Sequence, residues 1–540
     1  MSIQSSCVRR RGINFVLMFL VLFVPARGLA EFLGCSPSAG GFGPCDYEVD
    51  IGGGSTRLVK YWRNHSLTAT NHAITRAVVA VHGTVGSSPA DNDAAENQLT
   101  LMRNAAVTEG VEPSTLIVAP FFPKNNNANQ CPVAAGWTHC NTSDCLCWNA
   151  STPQKRSWKF GGVASNGNDR VSTSSFAVVD AIVEHFANSG HFPNLTDIVV
   201  IGHSAGGQFT MRYAAANQAD LPDDVRMRYM PCNPGTYMFL NALRPTDHTI
   251  DHFPDYTTGT TDLNAWRRAS YGFTIPTPAC PNSWPPNYDR HNDYLWGLDR
   301  LDGEATSSRY HMHYFHDLDL GDSATIAELV RRQFLEREIV LMHGEDDSAY
   351  EVGADVSECP NKAQGTNRLM RGAIVFNHVC ANYDCKNLGF AVVEDTAHSS
   401  NQMYNSQYGR KVVLHNFKPP SIGHQSPLST ERGWSMEIGI DDLSRTYPAG
   451  SQIYTPTGSR SHYTATRDSI TGVLRIIPDP GYEGVLKVPV HVEVPLPDHG
   501  VGTAPRDDRP NRVLHSNNYS LHVNVGMNWL PAAVNNPALF

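Results

Sequence analysis

The sequence has few charged residues and no excess of basic ones. Charged residues make up 17% of the 540 positions, and the formal net charge is −10. Proteins that bind nucleic acid usually carry a basic patch or stripe, so we expect no nucleic-acid partner. Hydrophobic residues make up 41% of the chain, which excludes the class of disordered proteins and provides for a buried core.

Long apolar runs are also missing. No stretch reaches the roughly 18 residues of a membrane-spanning helix, so we expect no transmembrane span. The chain opens instead with three arginines from Arg9 to Arg11, an apolar stretch from Ile13 to Val24, and small residues up to Ala30. This layout is typical of a secretory signal peptide. We therefore predict cleavage of residues 1–30 and a secreted, extracellular protein, with an uncleaved signal anchor as the alternative.

Cysteine is abundant, with twelve residues, which favours an oxidising compartment. Loss of Cys7 with the signal would leave an odd number, so at least one thiol stays unpaired. Sequence spacing favours the disulfides Cys35–Cys45 and Cys380–Cys385, and Cys232–Cys280 would close a longer loop. A further group could form two bridges or, as the alternative, hold zinc, although it contains no CxxC pair. Its members are Cys131, Cys140, Cys145 and Cys147.

Sequons of the type N-x-S/T predict a glycoprotein once the chain is secreted. They start at Asn64, Asn141, Asn149, Asn194 and Asn518.

Short apolar segments without alternation recur through residues 31–418, and each ends in a turn. Segments of this kind are buried on both faces, as in a parallel sheet. Helically spaced segments such as Phe176–Phe186 lie between them, so the sequence predicts an α/β fold with a mostly parallel sheet. The ligand site of such a sheet lies at the carboxyl ends of the strands. The segments are Ala77–Val81, Leu116–Ala119, Ile198–Ile201, Ile339–Met342 and Phe390–Val393.

Residues from about 231 to 323 break this alternation and predict an insertion that forms a cap. Its tryptophans Trp266, Trp284 and Trp296 could line a sugar- or aromatic-binding wall, but we favour the cap's own core. His311 and His313 could ligate a metal, but we favour a polar cap segment.

A second change follows Phe417, where Pro419-Pro420 indicates a linker. Short alternating segments then recur between Pro and Gly turns, and Tyr519–Val525 has a clear period of two. This pattern predicts that residues 425–540 form a small all-β sandwich.

The sharpest chemical signal is the motif Gly-x-Ser-x-Gly around Ser204, which stands between a strand and a helical segment. The small residues permit a tight turn that lifts the Ser204 hydroxyl above the sheet at a helix N-terminus. A serine hydroxyl needs a base to become a nucleophile, and the base needs an orienting carboxylate.

The acid and the base are expected after the last two strands, in the chain order Ser, acid, His. Behind Ile339–Met342, the spacing Gly-x-x-Asp favours Asp347 as the acid, with Asp346 as the alternative. Behind Phe390–Val393, the position of His398 predicts that it is the base.

An oxyanion hole needs two backbone N–H groups. We assign them to Ala205, directly after the nucleophile, and to Thr84, in the turn after the strand that ends at Val81. His82 in the same turn is an alternative base, but a histidine there more often braces the loop.

These residues resemble the motifs of the α/β-hydrolase superfamily, over roughly residues 50–415. The similarity rests on Val81-His82-Gly83, the Ser204 motif, Gly344–Asp347 and His398. It implies an eight-stranded, mostly parallel sheet and a Ser204–His398–Asp347 triad. The stretch Phe192–Phe209 resembles a branch of uncharacterised secreted or bacterial hydrolases. The turn Pro480–Gly484 is similar to those of bacterial and cadherin-like immunoglobulin-type modules.

The sequence therefore predicts a secreted serine hydrolase, most simply a carboxylic-ester hydrolase acting on a small-molecule or polymeric ester through an acyl-enzyme. We expect no cofactor and no metal. A peptidase or amidase with the same triad is one alternative. A non-catalytic adhesion glycoprotein is another, because the terminal β-module could bind a surface or a partner.

Overall fold

We describe the protein from a computed structural model. The described residues are 31–35, 44–52, 55–84, 93–123, 145–148, 157–166, 169–245, 273–275, 291–299, 301, 314, 323–347, 359–365, 367–393, 395–419, 428–443, 447, 450–455, 458–495, 513–515 and 519–525. The predicted signal peptide lies outside these ranges.

Thirteen strands precede residue 400 in the described part of the chain. They are β1 (Glu31–Cys35), β2 (Cys45–Gly52), β3 (Ser55–Arg63), β4 (Arg76–Val81), β5 (Thr115–Pro120), β6 (Val163–Asn166), β7 (Asp169–Ser174), β8 (Asp197–His203), β9 (Arg226–Cys232), β10 (Arg244–Pro245), β11 (Phe273–Thr274), β12 (Glu338–Gly344) and β13 (Leu388–Val393).

Nine of these strands form one sheet, in the order β1-β2-β3-β5-β4-β8-β9-β12-β13. The strands from β5 to β13 in this order pair in parallel, whereas β1, β2 and β3 add an antiparallel edge. The prediction of a mostly parallel sheet in an α/β fold is confirmed. The pairs β6–β7 and β10–β11 form two small antiparallel ribbons.

Helices connect the parallel strands. They are α1 (Ala94–Thr108), α2 (Ser175–Asn188), α3 (Ala205–Ala216), α4 (Ser323–Glu336), α5 (Cys359–Lys362), α6 (Arg368–Asn382), α7 (Ser400–Asn405) and α8 (Gln407–Leu414), with short 3-10 turns at Glu112–Ser114, Trp158–Phe160 and Ile440–Asp442. The Ser174 side chain caps α2 by accepting a hydrogen bond from the Phe176 N–H, which fixes where this helix begins.

The central strands are buried because helices cover both faces of the sheet. Every residue of β5 and β8 is buried, which matches the continuous apolar runs that predicted them. The chain runs from β4 to β5 on one side of β4 and later to β8 on the other side. Loops therefore diverge at the carboxyl ends of β4 and β8, where an open α/β sheet places its ligand crevice.

Three details differ from the sequence predictions. The sheet has nine strands and not eight, because three antiparallel strands precede β4. The strand β9 and the helix α1 were not predicted. The region assigned to the cap from residue 231 begins inside the sheet, since Pro231 and Cys232 belong to β9. The arginines at positions 226 and 228 hid this strand, because they interrupt its apolar pattern.

Buried arginines hold the described parts of the insertion: Arg212 joins them to the sheet domain, and Arg244 bonds within the insertion. Arg212 in α3 donates to the carbonyl oxygen of Leu295 at 2.5 Å and lies 4.8 Å from the centroid of the Phe160 ring. Arg244 donates to the carbonyl oxygen of Trp296 at 2.9 Å. Burial lowers the pKa of Arg212 to about 10 and that of Arg244 to about 9, so both stay charged near neutral pH.

The aromatic residues of the insertion are described only in part. Trp296 is buried in the hydrophobic core that includes the sheet domain, and its indole N–H donates to Asn361 Oδ1 outside the insertion, so it lines no exposed wall and is not confined to a core of the cap's own. The other two tryptophans considered for a sugar-binding wall, Trp266 and Trp284, lie outside the described residues, as do His311 and His313.

The C-terminal region is all β apart from one 3-10 turn, as far as it is described. Its strands are β14 (Leu428–Thr430), β15 (Met436–Ile438), β16 (Gln452–Tyr454), β17 (Gly458–Arg460), β18 (Tyr463–Arg467), β19 (Leu474–Pro478), β20 (Gly484–Pro495), β21 (Val513–His515) and β22 (Tyr519–Val525). One sheet has the order β14-β22-β20-β16 with β21 beside β20, and the other has the order β15-β19-β18-β17. Along β19 burial alternates residue by residue, as the period of two requires.

The cysteines divide into bonded and free ones. The predicted disulfide Cys380–Cys385 is confirmed, and Cys45, Cys145 and Cys147 are also disulfide-bonded. The prediction of a Cys232–Cys280 bridge is wrong. Cys232 is a free thiol at the end of β9, buried in the middle of the sheet, where its Sγ lies 3.4 Å from the Met230 carbonyl oxygen.

Two of the predicted sequons can be described. The amide of Asn64 is bonded on both sides to β5: it donates to the Thr115 carbonyl oxygen at 2.8 Å and accepts from the Ile117 N–H at 2.7 Å. Asn194 is exposed. Asn141, Asn149 and Asn518 lie outside the described residues. Within the described ranges, no helix has the length and apolarity needed to cross a bilayer.

Candidate active site

Ser204 occupies a strained turn between β8 and α3. Its backbone has φ 59° and ψ −112°, a conformation that few non-glycine residues adopt. The turn closes because its glycines have no side chain: a Cβ at Gly202 would lie 2.4 Å from the Gly206 carbonyl oxygen. A Cβ at Gly206 would lie 2.3 Å from the Val81 carbonyl oxygen. Strain of this kind persists only where surrounding contacts enforce it, and it is concentrated at functional sites.

The backbone around Ser204 is fixed by two hydrogen bonds. The Ser204 N–H donates to the Cys232 carbonyl oxygen at 2.9 Å, and the Ser204 carbonyl oxygen accepts from the Gln208 N–H at 3.0 Å. The side chain is partly exposed and stands at the N-terminus of α3. Within the described part of the chain, the Ser204 hydroxyl makes no hydrogen bond. Contacts of a nucleophile are often long without substrate and tighten only in the reacting complex.

Asp347 and His398 are in direct contact. His398 Nδ1 donates to Asp347 Oδ2 at 2.8 Å, although the two residues lie 51 positions apart in the chain. Asp347 is buried, whereas the His398 side chain is 33% exposed. With Nδ1 committed to the carboxylate, Nε2 is the ring nitrogen left to exchange a proton with a reacting group.

The charge of Asp347 is stabilised at this position. Burial by itself would raise the pKa of Asp347, but the hydrogen bond from His398 and the charges of His398 and Arg368 outweigh it. The pKa therefore lies below its ordinary value, and the carboxylate is ionised at neutral pH. Arg368 Nη1 lies 3.6 Å from Asp347 Oδ1.

The two acid candidates face different surroundings. Asp346 is exposed, and its backbone N–H donates to the Thr396 carbonyl oxygen at 2.9 Å. Gly344 lets these two loops approach, since a Cβ there would lie 2.2 Å from the same oxygen. The structure pairs the imidazole of His398 with Asp347 and not with Asp346.

The loop after β4 lies against the nucleophile turn. A Cβ at Gly83 would lie 3.8 Å from the Cβ of Ser204. His82 is buried, and its Nε2 accepts a hydrogen bond from the Phe122 N–H at 2.9 Å while its Nδ1 donates to the Gly83 carbonyl oxygen at 2.7 Å. Both ring nitrogens of His82 are therefore engaged in bracing this loop.

The two expected oxyanion donors belong to the two turns that meet here. Ala205 is the first residue of α3, where helical N–H groups have no partner within the helix. Thr84 is exposed and directly follows Gly83, whose carbonyl oxygen accepts a hydrogen bond from His82.

Sequence reasoning missed several residues of this site. The ring of His203 lies beside that of His398, with centroids 4.5 Å apart, and Asn233 Nδ2 lies 3.3 Å from His203 Nε2. Arg368 stands at the beginning of α6 beside Asp347. Asn233 could have been noticed as a polar residue at the carboxyl end of a strand, but β9 itself was not predicted.

A buried tyrosine–histidine pair lies behind the acid. The Tyr237 hydroxyl lies 2.5 Å from His343 Nε2. Burial lowers the pKa of His343 to about 3, although the charge of Asp347 opposes this shift, so the ring is neutral over the physiological range.

The chain is distantly similar to solved structures of other proteins. No protein-family model and no curated protein matches the sequence. Among solved structures, the chain is similar to poly(aspartic acid) hydrolase-1 from Sphingomonas sp. KT-1, at 16% identity and a TM-score of 0.37, over 69% of this chain and 98% of that chain. It is also similar to a poly(3-hydroxybutyrate) depolymerase from Bordetella parapertussis, at 15% identity and a TM-score of 0.37, over 71% of this chain and 92% of that chain.

A third match is acetyl xylan esterase 1 from Thermoanaerobacterium sp. JW/SL YS485. Its identity is 12% and its TM-score 0.28, over 68% of this chain and 82% of that chain. Similarity of this size does not indicate a shared substrate. Among the described residues, no group of three or more His, Cys, Asp or Glu side chains is arranged to hold a metal ion.

Proposed function

We propose that the protein is a secreted serine hydrolase of the α/β-hydrolase type that cleaves carboxylic esters. One observation carries the proposal: the Ser204 turn and the Asp347–His398 pair meet at the carboxyl edge of the same parallel sheet. The Ser204 backbone has φ 59°, and His398 Nδ1 lies 2.8 Å from Asp347 Oδ2. A strained serine, a partly exposed histidine and a buried carboxylate are the groups that acyl transfer needs.

In this mechanism Ser204 Oγ attacks the acyl carbon while His398 Nε2 takes its proton. Asp347 holds the ring in the required tautomer and stabilises the imidazolium that forms. The backbone N–H groups of Ala205 and Thr84 stabilise the oxyanion. His398 then returns the proton to the leaving alcohol, and water hydrolyses the acyl-enzyme by the same steps in reverse.

Secretion is part of the proposal and is supported by the cysteines. The disulfide Cys380–Cys385 and the bonded Cys45, Cys145 and Cys147 suit an oxidising compartment. The C-terminal region is proposed to be an immunoglobulin-like β-sandwich that binds a surface or a partner. Its two sheets and the alternating burial along β19 support this assignment.

The proposal is tested by covalent labelling. We expect a fluorophosphonate probe to label the purified secreted protein and Ser204→Ala to abolish labelling. Ser399→Ala is the matched control, because Ser399 caps α7 close to the site, and its labelling should persist. Labelling of Ser204→Ala at the wild-type rate would contradict the role of Ser204.

The bond that is cleaved is tested separately. We expect turnover of p-nitrophenyl esters and little or none of aminoacyl anilides. A preference for the anilides would replace the esterase by a peptidase with the same triad. An absence of labelling and of turnover in the folded protein would favour a non-catalytic adhesion protein.

A further inference from the structure

Asn233 stands at the carboxyl end of β9, directly beside the candidate site. It is fully buried and has φ 44°, in the left-handed region that asparagine tolerates better than most residues. Neither the proposed mechanism nor the closure of the Ser204 turn uses its side chain. A buried asparagine in this conformation must satisfy its amide by hydrogen bonds within the protein.

One half of Asn233 binds the strand that leads to the acid. Its backbone N–H donates to the Met342 carbonyl oxygen at 2.9 Å. Its side-chain Oδ1 accepts from the Gly344 N–H at 2.9 Å. Gly344 begins the turn that carries Asp347, so these bonds fix where that turn leaves the sheet.

The other half of Asn233 faces the base and the nucleophile. Its Nδ2 donates to His203 Nε2 at 3.3 Å and makes a longer contact, at 3.5 Å, with the Ala397 carbonyl oxygen. His203 precedes Ser204, and Ala397 precedes His398. A single side chain therefore contacts the three segments that carry the nucleophile, the acid and the base.

His203 passes this constraint on to the base. Its ring lies against that of His398, with centroids 4.5 Å apart and planes tilted by 43°. Because Nε2 of His203 accepts from Asn233, its proton resides on Nδ1 and the ring is neutral. Burial, followed by the charge of His398, lowers the pKa of His203 to about 3, which agrees with this state. A neutral ring restrains His398 without opposing the positive charge that His398 acquires.

We propose that Asn233 is a positioning residue, which holds the His398 loop, the Asp347 turn and the Ser204 turn in register through Gly344, Ala397 and His203. It transfers no proton itself. The inference rests on the proposed function, because it assigns Asn233 a role that acts through His398. A displacement of about 1 Å at a catalytic group can cost about 100-fold in rate, so a clamp of this kind affects turnover more than binding.

The decisive variant is Asn233→Asp. Aspartate matches asparagine in size, tolerates the same backbone conformation and keeps an acceptor for the Gly344 N–H. It replaces the N–H donors that face His203 and Ala397 with a carboxyl oxygen, so its control must introduce a carboxyl group at another buried asparagine. We expect kcat for a p-nitrophenyl ester to fall about 10- to 100-fold with KM within about threefold, and the rate of fluorophosphonate labelling to fall in parallel.

The matched control is Asn217→Asp, at the far end of α3 from Ser204. Asn217 is also buried, and its Nδ2 donates to the Tyr213 carbonyl oxygen at 2.9 Å and to the Tyr229 hydroxyl at 2.7 Å. We expect this variant to lose thermal stability but to keep the wild-type kcat per labelled site. Equal kcat values per labelled site in the two variants would overturn the proposal, because Asn233 would then be merely structural.

A second variant keeps the proposal testable if Asn233→Asp does not fold. His203→Phe retains a ring beside His398 but removes the acceptor for Asn233, and we expect an intermediate loss of kcat. A wild-type kcat in His203→Phe would overturn the proposal. If instead the wild-type protein itself is neither labelled nor active, the proposed function fails, and this result is distinct from a failure of the Asn233 assignment.

Discussion

Two buried aspartates stand at opposite ends of the parallel sheet, and the pKa of each lies below its ordinary value. Asp197 begins β8, and Arg226 donates to its Oδ1 at 2.7 Å. Asn416 donates to its Oδ2 at 3.0 Å, and Arg76 to the same oxygen at 3.2 Å. Burial alone would raise the pKa of Asp197, but the bonds from Asn416 and Arg226 and the charges of both arginines outweigh it.

Asp347 differs in the kind of partner that it holds. Its hydrogen-bonded partner is the histidine ring of His398, which is 33% exposed, and its arginine neighbour Arg368 stands 3.6 Å away. The partners of Asp197 are groups that keep one protonation state at neutral pH. Under the proposed function this difference separates their roles: Asp197, held by arginines and an asparagine, stabilises the fold, whereas Asp347, held by a partly exposed imidazole, supports proton transfer.

The largest effect is expected from a substitution of Asp347, at the carboxyl end of the sheet. We expect Asp347→Asn to reduce kcat/KM about 10³- to 10⁴-fold, because the amide would stabilise the wrong tautomer of His398. The measurement is ester hydrolysis under conditions in which both proteins are folded. Asp346→Asn is the adjacent control and should keep kcat/KM within about threefold. If Asp346→Asn lost most of its kcat/KM while Asp347→Asn stayed active, Asp346 and not Asp347 would be the acid of the triad.

The next largest effect is expected from a substitution of Asp197, at the amino end of the sheet. We expect Asp197→Asn to lower the free energy of unfolding by about 2–4 kcal/mol, because Arg76 and Arg226 lose the carboxylate between them. The kcat of the folded protein should not change. Urea denaturation and the ester assay together measure both quantities. The exposed Asp223 provides the control, since Asp223→Asn should alter the free energy of unfolding by no more than about 0.5 kcal/mol. Loss of kcat in folded Asp197→Asn would contradict the assignment of Asp197 to stability and of Asp347 to activity.

The smallest expected effect is a pH dependence of the free energy of unfolding, caused by two buried histidines at the carboxyl end of the sheet. Burial lowers the pKa values of His203 and His343 to about 3, whereas a free imidazole has about 6.5. Between these values the unfolded chain binds more protons than the folded one, so stability is complete above about pH 6.5 and falls as the pH drops toward 3. At pH 5 the loss is about 2 kcal/mol for each buried histidine.

The variant His343→Gln tests this expectation. It should flatten the decline in the free energy of unfolding between pH 7 and pH 5, as measured by denaturant titration at each pH. Asp197→Asn should not change that slope, because the pKa of Asp197 is below its ordinary value and its contribution is lost only in more acidic solution. An unchanged slope in His343→Gln would show that His343 does not titrate as inferred.

The sequence predicted the buried strands of the sheet because continuous apolar runs such as Ile198–Ile201 have one plausible environment. It also predicted α2 from the helical spacing of Phe176–Phe186, and the structure shows that Ser174 caps this helix. The strand β9 was missed because Arg226 and Arg228 interrupt its apolar run. Arg228 is nevertheless buried, since its guanidinium donates to the Val412 and Val413 carbonyl oxygens at 3.1 Å.

Because β9 was not predicted, part of the candidate site was not predicted either. The residues at the carboxyl end of β9, above all Asn233, could not be placed beside Ser204 without that strand. Likewise, no local pattern indicates that Cys232 is a free thiol in the middle of a sheet, because pairing depends on what surrounds a sulfur and not on its spacing.

The strand–turn–helix unit of Ser204 follows from the sequence alone, because that unit is local and its small residues admit one kind of turn. So does the chain order in which acid and base candidates follow. The contact of His398 with Asp347 and not with Asp346 is known only from the fold, as are the positions of His203 and Asn233 beside them. These contacts join the ends of different strands, and the side chains that meet there depend on how the whole sheet is ordered and twisted.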